Sequence, residues 1–393
     1  MLFWLWLLTI ASAVIWLVVY IRMRFIVAAF PALDSSTRLP PPASGWPFLS
    51  VVVPARNEER DVEACLQSLA RQDYPAFEII FVNDESTDRT LEKARKALQD
   101  VPYGKVLDGK PRPTSQWVGK NWALVQGVAE ARGEWLVFID SDVEHHPQAL
   151  KQATAMAIEM RLDALSLMPA IECFSIWERI IMPLFALLST LVEPLDRVNH
   201  PDKGCSRMSG AFILIQKNIY AAAGGHEAIS DQILEDMALA RNLKKQQRNI
   251  RITWTHDLTS TRMYDSFRDL WMGLTRLSFP MMKYSLFFLL VSWSAAVLGT
   301  LMPWIAMAAG FPLAFRNDSE IALGLGVAGL ALCLGMPLVL GKICKVLKVS
   351  SLYALLIPIA TVVYCLAGTY SACRHYTGRG VGWKQRFYQK PAS

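Results

Sequence analysis

Asp140 and Asp142 stand two positions apart, directly after the apolar run Trp135-Leu136-Val137-Phe138-Ile139. Such a run reads as a buried strand, and carboxylates at its end sit at the mouth of a sheet, where open α/β folds bind ligands. Two acids this close raise each other's pKa unless a cation lies between them. A divalent ion held by carboxylate oxygens, with phosphate on its far side, relieves that repulsion. A solvated acidic turn is the competing reading, and the rest of the chain has to decide between them.

Other candidates for chemistry recur at similar places. The run Phe48–Val53 predicts a strand ending in Pro54-Ala55-Arg56-Asn57-Glu58, ahead of a helix expected over 59–71. That turn offers backbone N–H groups and a helix N-terminus, both suited to a nucleotide. Phe77–Val82 predicts a second strand, followed by Asn83-Asp84 and a helix over 87–98. Ser86 to Asp88 read as helix capping. Capping does not account for Asp84, which falls in the same layer as Asp140 and Asp142.

Gly119-Lys120 opens a helix expected near 121–131, where an ammonium can face phosphate, although many surface lysines have no specific task. Gly204 to Gly210 leads into a strand expected over Met208–Ile215, a place for close backbone approach to a ligand. Glu235 and Asp236 come early in a helix expected over Gln232–Lys245. Acids there ordinarily complement the helix dipole, and a catalytic role requires one of them to face the cleft and accept a proton.

The elements that position these residues alternate strand and helix as far as residue 160, which predicts an α/β domain with a doubly wound, mostly parallel sheet. Beyond it the pattern is mixed, with a strand expected over Ala164–Ile171. Ser175–Leu191, apolar around Pro183, fits a buried helix and an interfacial one equally well.

Apolar flanks enclose the domain. Leu2–Tyr20 carries no charge and is followed by Arg22 and Arg24, the pattern of an uncleaved anchor with the next domain in the cytoplasm. Stretches at 285–311, 322–341 and 352–372 are each long enough to span a bilayer. Lys342, Lys345 and Lys348 fit a cytoplasmic loop. The tail with Arg374, Arg379, Lys384, Arg386 and Lys390 then falls outside, against the positive-inside tendency. Either one stretch is re-entrant or interfacial, or the tail breaks the rule. The scheme is an anchor over 1–21, a Pro- and Ser-rich linker over 22–46, a sheet domain over 47–270, an interfacial segment over 271–284, about three spans over 285–373 and a basic tail over 374–393.

The seven cysteines form no CxxC pair, which argues against a zinc site or disulfide framework and fits a reducing compartment. Forty basic against thirty-four acidic residues is a mild excess, better matched to anionic lipid than to nucleic acid, since no Lys/Arg stripe interleaved with aromatics is present.

The series VVVPARNE, NDESTDRT, WVGK, DSD and ED, in this order over about residues 48–260, resembles the family 2 glycosyltransferases of the GT-A fold. Ser166-Leu167-Met168 and Trp177-Glu178-Arg179 resemble, more narrowly, the hopene-associated members, with carotenoid and ceramide glucosyltransferases close in pattern. The resemblance implies that Asp84 binds the uracil or ribose of a nucleotide sugar, with Pro54, Ala55 and Glu58 lining the same pocket. It implies that Asp140 and Asp142 hold the sugar nucleotide and a divalent cation, Mg2+ or Mn2+, with Asp142 the more direct ligand. Lys120 and Gly210 would lie beside the donor, and Asp236 would be the general base. Glu235 and Arg276 are candidates for the acceptor side. Processive members carry Q-x-x-R-W after the ED pair, whereas this chain reads Gly273-Leu-Thr-Arg276-Leu, so transfer of a single sugar is expected. The expectation is a multi-pass enzyme of the cytoplasmic membrane, with its catalytic domain in the cytoplasm. It would move a sugar, from a UDP-sugar, to a hopanoid or another isoprenoid or sphingolipid. A polyprenyl-phosphate sugar synthase is the alternative enzyme, and a nucleotide-binding membrane scaffold the non-enzymatic one.

Overall fold

The computed structural model describes residues 1–393 apart from 30–31, 115, 193–194, 201–205, 265, 378–380, 384–385 and 389–393. Arg379, Lys384 and Lys390 of the expected basic tail, and Gly204, therefore lie outside the described residues. In chain order the elements are α1 (Leu2–Ala29), β1 (Leu49–Ala55), α2 (Val62–Ala70), β2 (Phe77–Asn83), α3 (Thr90–Leu98), β3 (Gly104–Asp108), α4 (Gly119–Ala129), β4 (Trp135–Phe138), β5 (Val143–His145), α5 (Ala149–Glu159), β6 (Ala164–Met168), β7 (Ala170–Ile171), α6 (Ile176–Val192), α7 (Leu195–Val198), β8 (Ile213–Gln216), α8 (Lys217–Ala222), α9 (Glu235–Lys245), β9 (Ile250–Trp254), β10 (Thr259–Thr261), α10 (Phe267–Met281), α11 (Leu286–Thr300), α12 (Met302–Asn317), α13 (Glu320–Val346) and α14 (Ile357–Tyr376). Short 3-10 turns occupy Glu227–Ile229 and Ser351–Leu356, and a last strand pair is Val381–Trp383 with Arg386–Tyr388.

Contacts divide the chain into a sheet unit (Ala29–Ile171 and Glu193–Arg262, with Gly382–Ser393) and a helical unit (Met1–Ala28, Glu172–Val192 and Met263–Val381). The expected 47–270 domain is thus interrupted, because α6 groups with the apolar helices.

In the sheet unit, strands run in the order β3-β2-β1-β4-β8-β6-β9. β1, β2, β3 and β4 are parallel, and β1 and β2 at their centre are buried along their whole length, as parallel strands covered on both faces are. β8 is antiparallel to both β4 and β6, so the sheet is mostly parallel but mixed. Phe138 pairs with Ile213 in that register, so the chain entering β8 starts at the carboxyl end of β4. Strand 164–171 is broken into β6 and β7 at Pro169, which has no N–H to give a ladder. β7 joins β5 and β10 in a separate three-stranded sheet. One face of the main sheet packs Leu66, Leu69 and Ala153 over Val51, Val53, Ile79 and Val137. The other packs Leu124, Ala123 and Leu239 over Val52, Ile80 and Leu136.

In the helical unit, α1, the pair α11–α12, α13 and the segment Ser351–Tyr376 are long and apolar enough to cross a membrane. The expected stretch 285–311 is two helices that meet at Leu301, because Pro303 removes one intrahelical donor. The carbonyl of Gly299, its lost partner, accepts Trp16 Nε1 at 2.8 Å and Ser12 Oγ at 3.2 Å instead. Glu178 of the Trp-Glu-Arg motif is 2% exposed and closes a reciprocal cap with Ser175 at the start of α6: its Oε2 accepts Ser175 N at 2.7 Å, and Ser175 Oγ accepts Glu178 N at 3.2 Å.

Candidate active site

The carboxyl edge of β1, β2 and β4 is one layer because Ala55 pairs with Asn83 and Val52 with Phe138. Pro54, Ala55, Asp84 and Asp140 follow from that register, and Asp84, at 5% exposure, is anchored by its N–H to Ala55 O at 2.8 Å. Arg56 Nη1 donates to the carbonyls of Asp84 and Glu85, both at 2.7 Å, and ties the two strand ends together. The Ser86–Asp88 segment does cap α3, with Asp88 Oδ1 accepting Thr90 N at 3.0 Å.

Asn121 sets the opposite wall. Its Nδ2 donates to the carbonyls of Ile229, Ser230 and Gln232, while Val118 N donates to Ser230 O. The start of α4 is thereby locked to the segment that leads into α9, and Lys120 meets Glu235. Lys120 Nζ pairs with Asp140 Oδ1 at 2.5 Å and with Glu235 Oε1. Burial works against its charge, but Asp140 and then Glu235 outweigh it and hold the ammonium above its ordinary range. Glu235, expected on the acceptor side, is 7% exposed and ion-paired with Lys120. Arg276, the other acceptor-side candidate, belongs to the helical unit.

Gly210 lies where antiparallel β8 begins, and its N–H donates to Asp236 Oδ2 at 3.2 Å. A Cβ on Gly210 would meet Asp140 Oδ2 at 2.9 Å and Lys120 Nζ at 3.0 Å, so the absence of a side chain admits the ion pair. Asp236 is raised to about 7 by burial and by the negative charge of Glu235. Asp142 is raised to about 7 by burial, then by Asp140 and Glu58. Among the described residues no ion pair involves Asp142, whereas Asp140 is taken by Lys120. The two acids of the motif therefore occupy different electrostatic positions.

Among the described residues no group of three His, Cys, Asp or Glu side chains is placed to hold a metal ion. A half-buried carboxylate pressed by two like charges, whose push the Lys120 ammonium only partly offsets, still fits a cation whose remaining ligands come from a bound diphosphate.

His226 was not singled out in the sequence. It lines the same crevice as Pro54, Lys120, Asp140, Gly210 and Glu235. It is 1% exposed, its Nδ1 lies 2.9 Å from Tyr220 Oη, and burial followed by the Lys120 charge lowers it to about 3, so it is neutral. The signal was the preceding Gly224-Gly225, both at positive φ, which turn the chain against the Tyr220 ring.

Residues 50–177 match the family model described as "Glycosyl transferase family 2". That stretch, about a third of the chain, is similar to glycosyl transferase family 2. It carries Pro54 to Asp142 and ends before Glu235-Asp236. The chain has curated relatives in the 4,4'-diaponeurosporenoate glycosyltransferases of Staphylococcus haemolyticus and Staphylococcus aureus, each 28% identical over 58% of this chain. The alignments span 60% of the length of those relatives. A solved mannosyltransferase from Pyrobaculum calidifontis, in complex with GDP-Man and Mn2+, superposes with a TM-score of 0.55 at 20% identity, covering 92% of this chain and 97% of that one. The sheet unit accordingly has the GT-A fold.

Proposed function

We propose that this chain is a membrane-bound, inverting glycosyltransferase that moves a single sugar from a nucleotide sugar, a UDP-sugar in our reading, to a lipid acceptor of isoprenoid or sphingolipid type. The observation that carries the reading is the convergence at one sheet edge of Asp84, Asp140 paired with Lys120, and a half-buried Asp236 poised near neutrality. A binding module has no need of that last group.

In this reading Asp84 receives the nucleoside, beside Pro54, Ala55 and Glu58. Lys120 lies at the phosphates, and its ammonium opposes charge on the departing nucleoside diphosphate. A divalent ion bound at Asp142, Mg2+ or Mn2+, supplies further neutralisation of that diphosphate. Asp236 takes the proton from an acceptor hydroxyl, whose oxygen attacks the anomeric carbon as the sugar–phosphate bond breaks on the opposite face. A positioned base of this kind is worth about 10²–10⁴-fold. Backbone N–H groups orient both Asp236 oxygens, Gly210 N on Oδ2 at 3.2 Å and Met237 N on Oδ1 at 2.7 Å, and each oxygen keeps a lone pair for the acceptor proton.

The acceptor class is supported by the chain's own layout, since apolar helices of membrane-spanning length flank the family 2 segment. Arg22 and Arg24 at the end of α1 favour a cytoplasmic catalytic domain. The staphylococcal relatives are named for a carotenoid carboxylate, which makes an isoprenoid acid a second acceptor to examine. A carboxylate needs no base, so the two acceptor types differ in their demand for Asp236. Membranes carrying the protein, incubated with radiolabelled UDP- and GDP-sugars and then extracted with organic solvent, test the proposal. A labelled lipid from one donor supports it, and label found only as free sugar contradicts it.

A further inference from the structure

We infer that α14 does not cross the membrane: with the 3-10 turn Ser351–Leu356 it forms a re-entrant element that starts at mid-depth and returns to the end of the helical unit from which α13 emerged. The inference rests on helix register within that unit and is independent of the transferase reading.

α1 supplies the depth scale. Gly299 O meets Ser12 and Trp16 near the middle of the apolar span Leu2–Phe25, while Met302 and Ala306 pack with Leu5 and Trp6. The pair α11–α12 therefore runs antiparallel to α1, with Thr300 near mid-depth. α13 runs parallel to α1. Trp6 Nε1 donates to Ile321 O at 3.2 Å, and further along Leu17 and Tyr20 line a groove with Gly335 and Val339. Arg24 at the end of α1 and Lys342 and Lys345 on α13 are thus brought to the same level, and all three are exposed.

α14 is registered against α11. Thr361 Oγ1 lies 2.8 Å from Thr300 Oγ1, Tyr364 Oη lies 3.0 Å from Ser292 Oγ, and Gly368 faces Trp293 and Leu289. The His375 ring stacks on Tyr284 at 4.8 Å between centroids. The helices are antiparallel, so α14 begins beside Thr300 at mid-depth and ends beside the start of α11. From Thr361 to His375 it descends about 21 Å at 1.5 Å per residue, enough to pass from mid-depth through one leaflet. The preceding turn packs on α13, which returns the chain from Lys348 to that depth. Tyr370, with the Arg374 guanidinium 5.8 Å from its ring centroid, supplies the aromatic and basic character of a headgroup layer at the exit.

The result is three crossings, with the tail on the side of Arg24 and Lys345. The partner of this surface is the bilayer leaflet on that side, with its anionic headgroups. The tail that broke the positive-inside rule under four crossings obeys it under three.

The test uses the full chain expressed in a bacterium, with green fluorescent protein or alkaline phosphatase joined after Ser393, and a membrane-impermeant maleimide applied to intact and to permeabilised cells carrying Ser319→Cys or Ser350→Cys. The expected result is a fluorescent, phosphatase-inactive tail, labelling of Ser319→Cys in intact cells, and labelling of Ser350→Cys and native Cys373 only after permeabilisation. A tail on the same side as position 319 would overturn the inference.

Discussion

Lys120 and Glu235 form an ion pair that joins the start of α4 to the start of α9, with Glu235 only 7% exposed and Asp140 closing the other side of the ammonium. One cation thus holds a carboxylate from the DxD motif and one from the ED pair. It couples the two halves of the site through a single buried contact.

Replacing Lys120 by Met leaves Glu235 buried without a partner. Loss of one member of a buried pair costs about 3–5 kcal/mol, because the surviving charge is uncompensated. We expect a clear fall in Tm for Lys120→Met, recovered in large part by Lys120→Met with Glu235→Gln, while transfer stays lost in both. Equal stability of the two variants in thermal unfolding would show that the pair is not coupled.

The carboxyl of Asp236 is raised to about 7 by burial first and by Glu235 second. A base must be deprotonated, so kcat/KM for a hydroxyl acceptor should rise tenfold per pH unit below that value and level off above it. A profile flat between pH 5.5 and 8 contradicts the raised Asp236 carboxyl, since an ordinary carboxylate near 3.8 would be ionised throughout.

The same displacement has a stability consequence of opposite sense. The folded-state pKa lies above the unfolded value, so folding binds protons between about pH 4 and 7, and stability falls as pH rises through that window. Asp236→Asn should therefore raise Tm relative to the parent at pH 8 and leave it nearly unchanged at pH 4. A lower Tm at pH 8 would mean that the ionised carboxylate is stabilising where it sits.

Gly210→Ala places a methyl group within 3.0 Å of both Asp140 Oδ2 and Lys120 Nζ. The pair must open to admit it. Donor affinity should fall at least tenfold, read by calorimetric titration with the nucleotide sugar, with little change in fold by circular dichroism. Unchanged affinity would remove Gly210 from the donor site.

Strands β1, β2 and β4 were legible because they are largely apolar runs ending in polar residues, and Val51, Val52 and Val53 admit few other readings, whereas the half-exposed β3 was not. Nor was the direction of β8, which is set by tertiary pairing and leaves no mark on a strand as short as Ile213–Gln216. Asp84, Asp140 and Lys120 could be gathered by their positions after strands and at a helix start. The role of Glu235 could not, because a first-turn acid looks the same whether it faces solvent or a buried lysine. His226 was hidden for a related reason: a lone histidine carries no pattern, and only the Gly-Gly turn before it marks the bend. The break at Leu301 was signalled by Pro303, but the hydrogen bonds that satisfy Gly299 come from a helix almost three hundred residues away.

Asp236 is the group on which activation of the acceptor turns. Turnover of Asp236→Asn, measured with the lipid acceptor and donor at saturation, addresses it directly, alongside calorimetric binding of the nucleotide sugar. The account predicts a loss of about 10²–10⁴-fold in kcat with donor affinity within a factor of about three of the parent. Near-normal turnover of a hydroxyl acceptor by Asp236→Asn would contradict it.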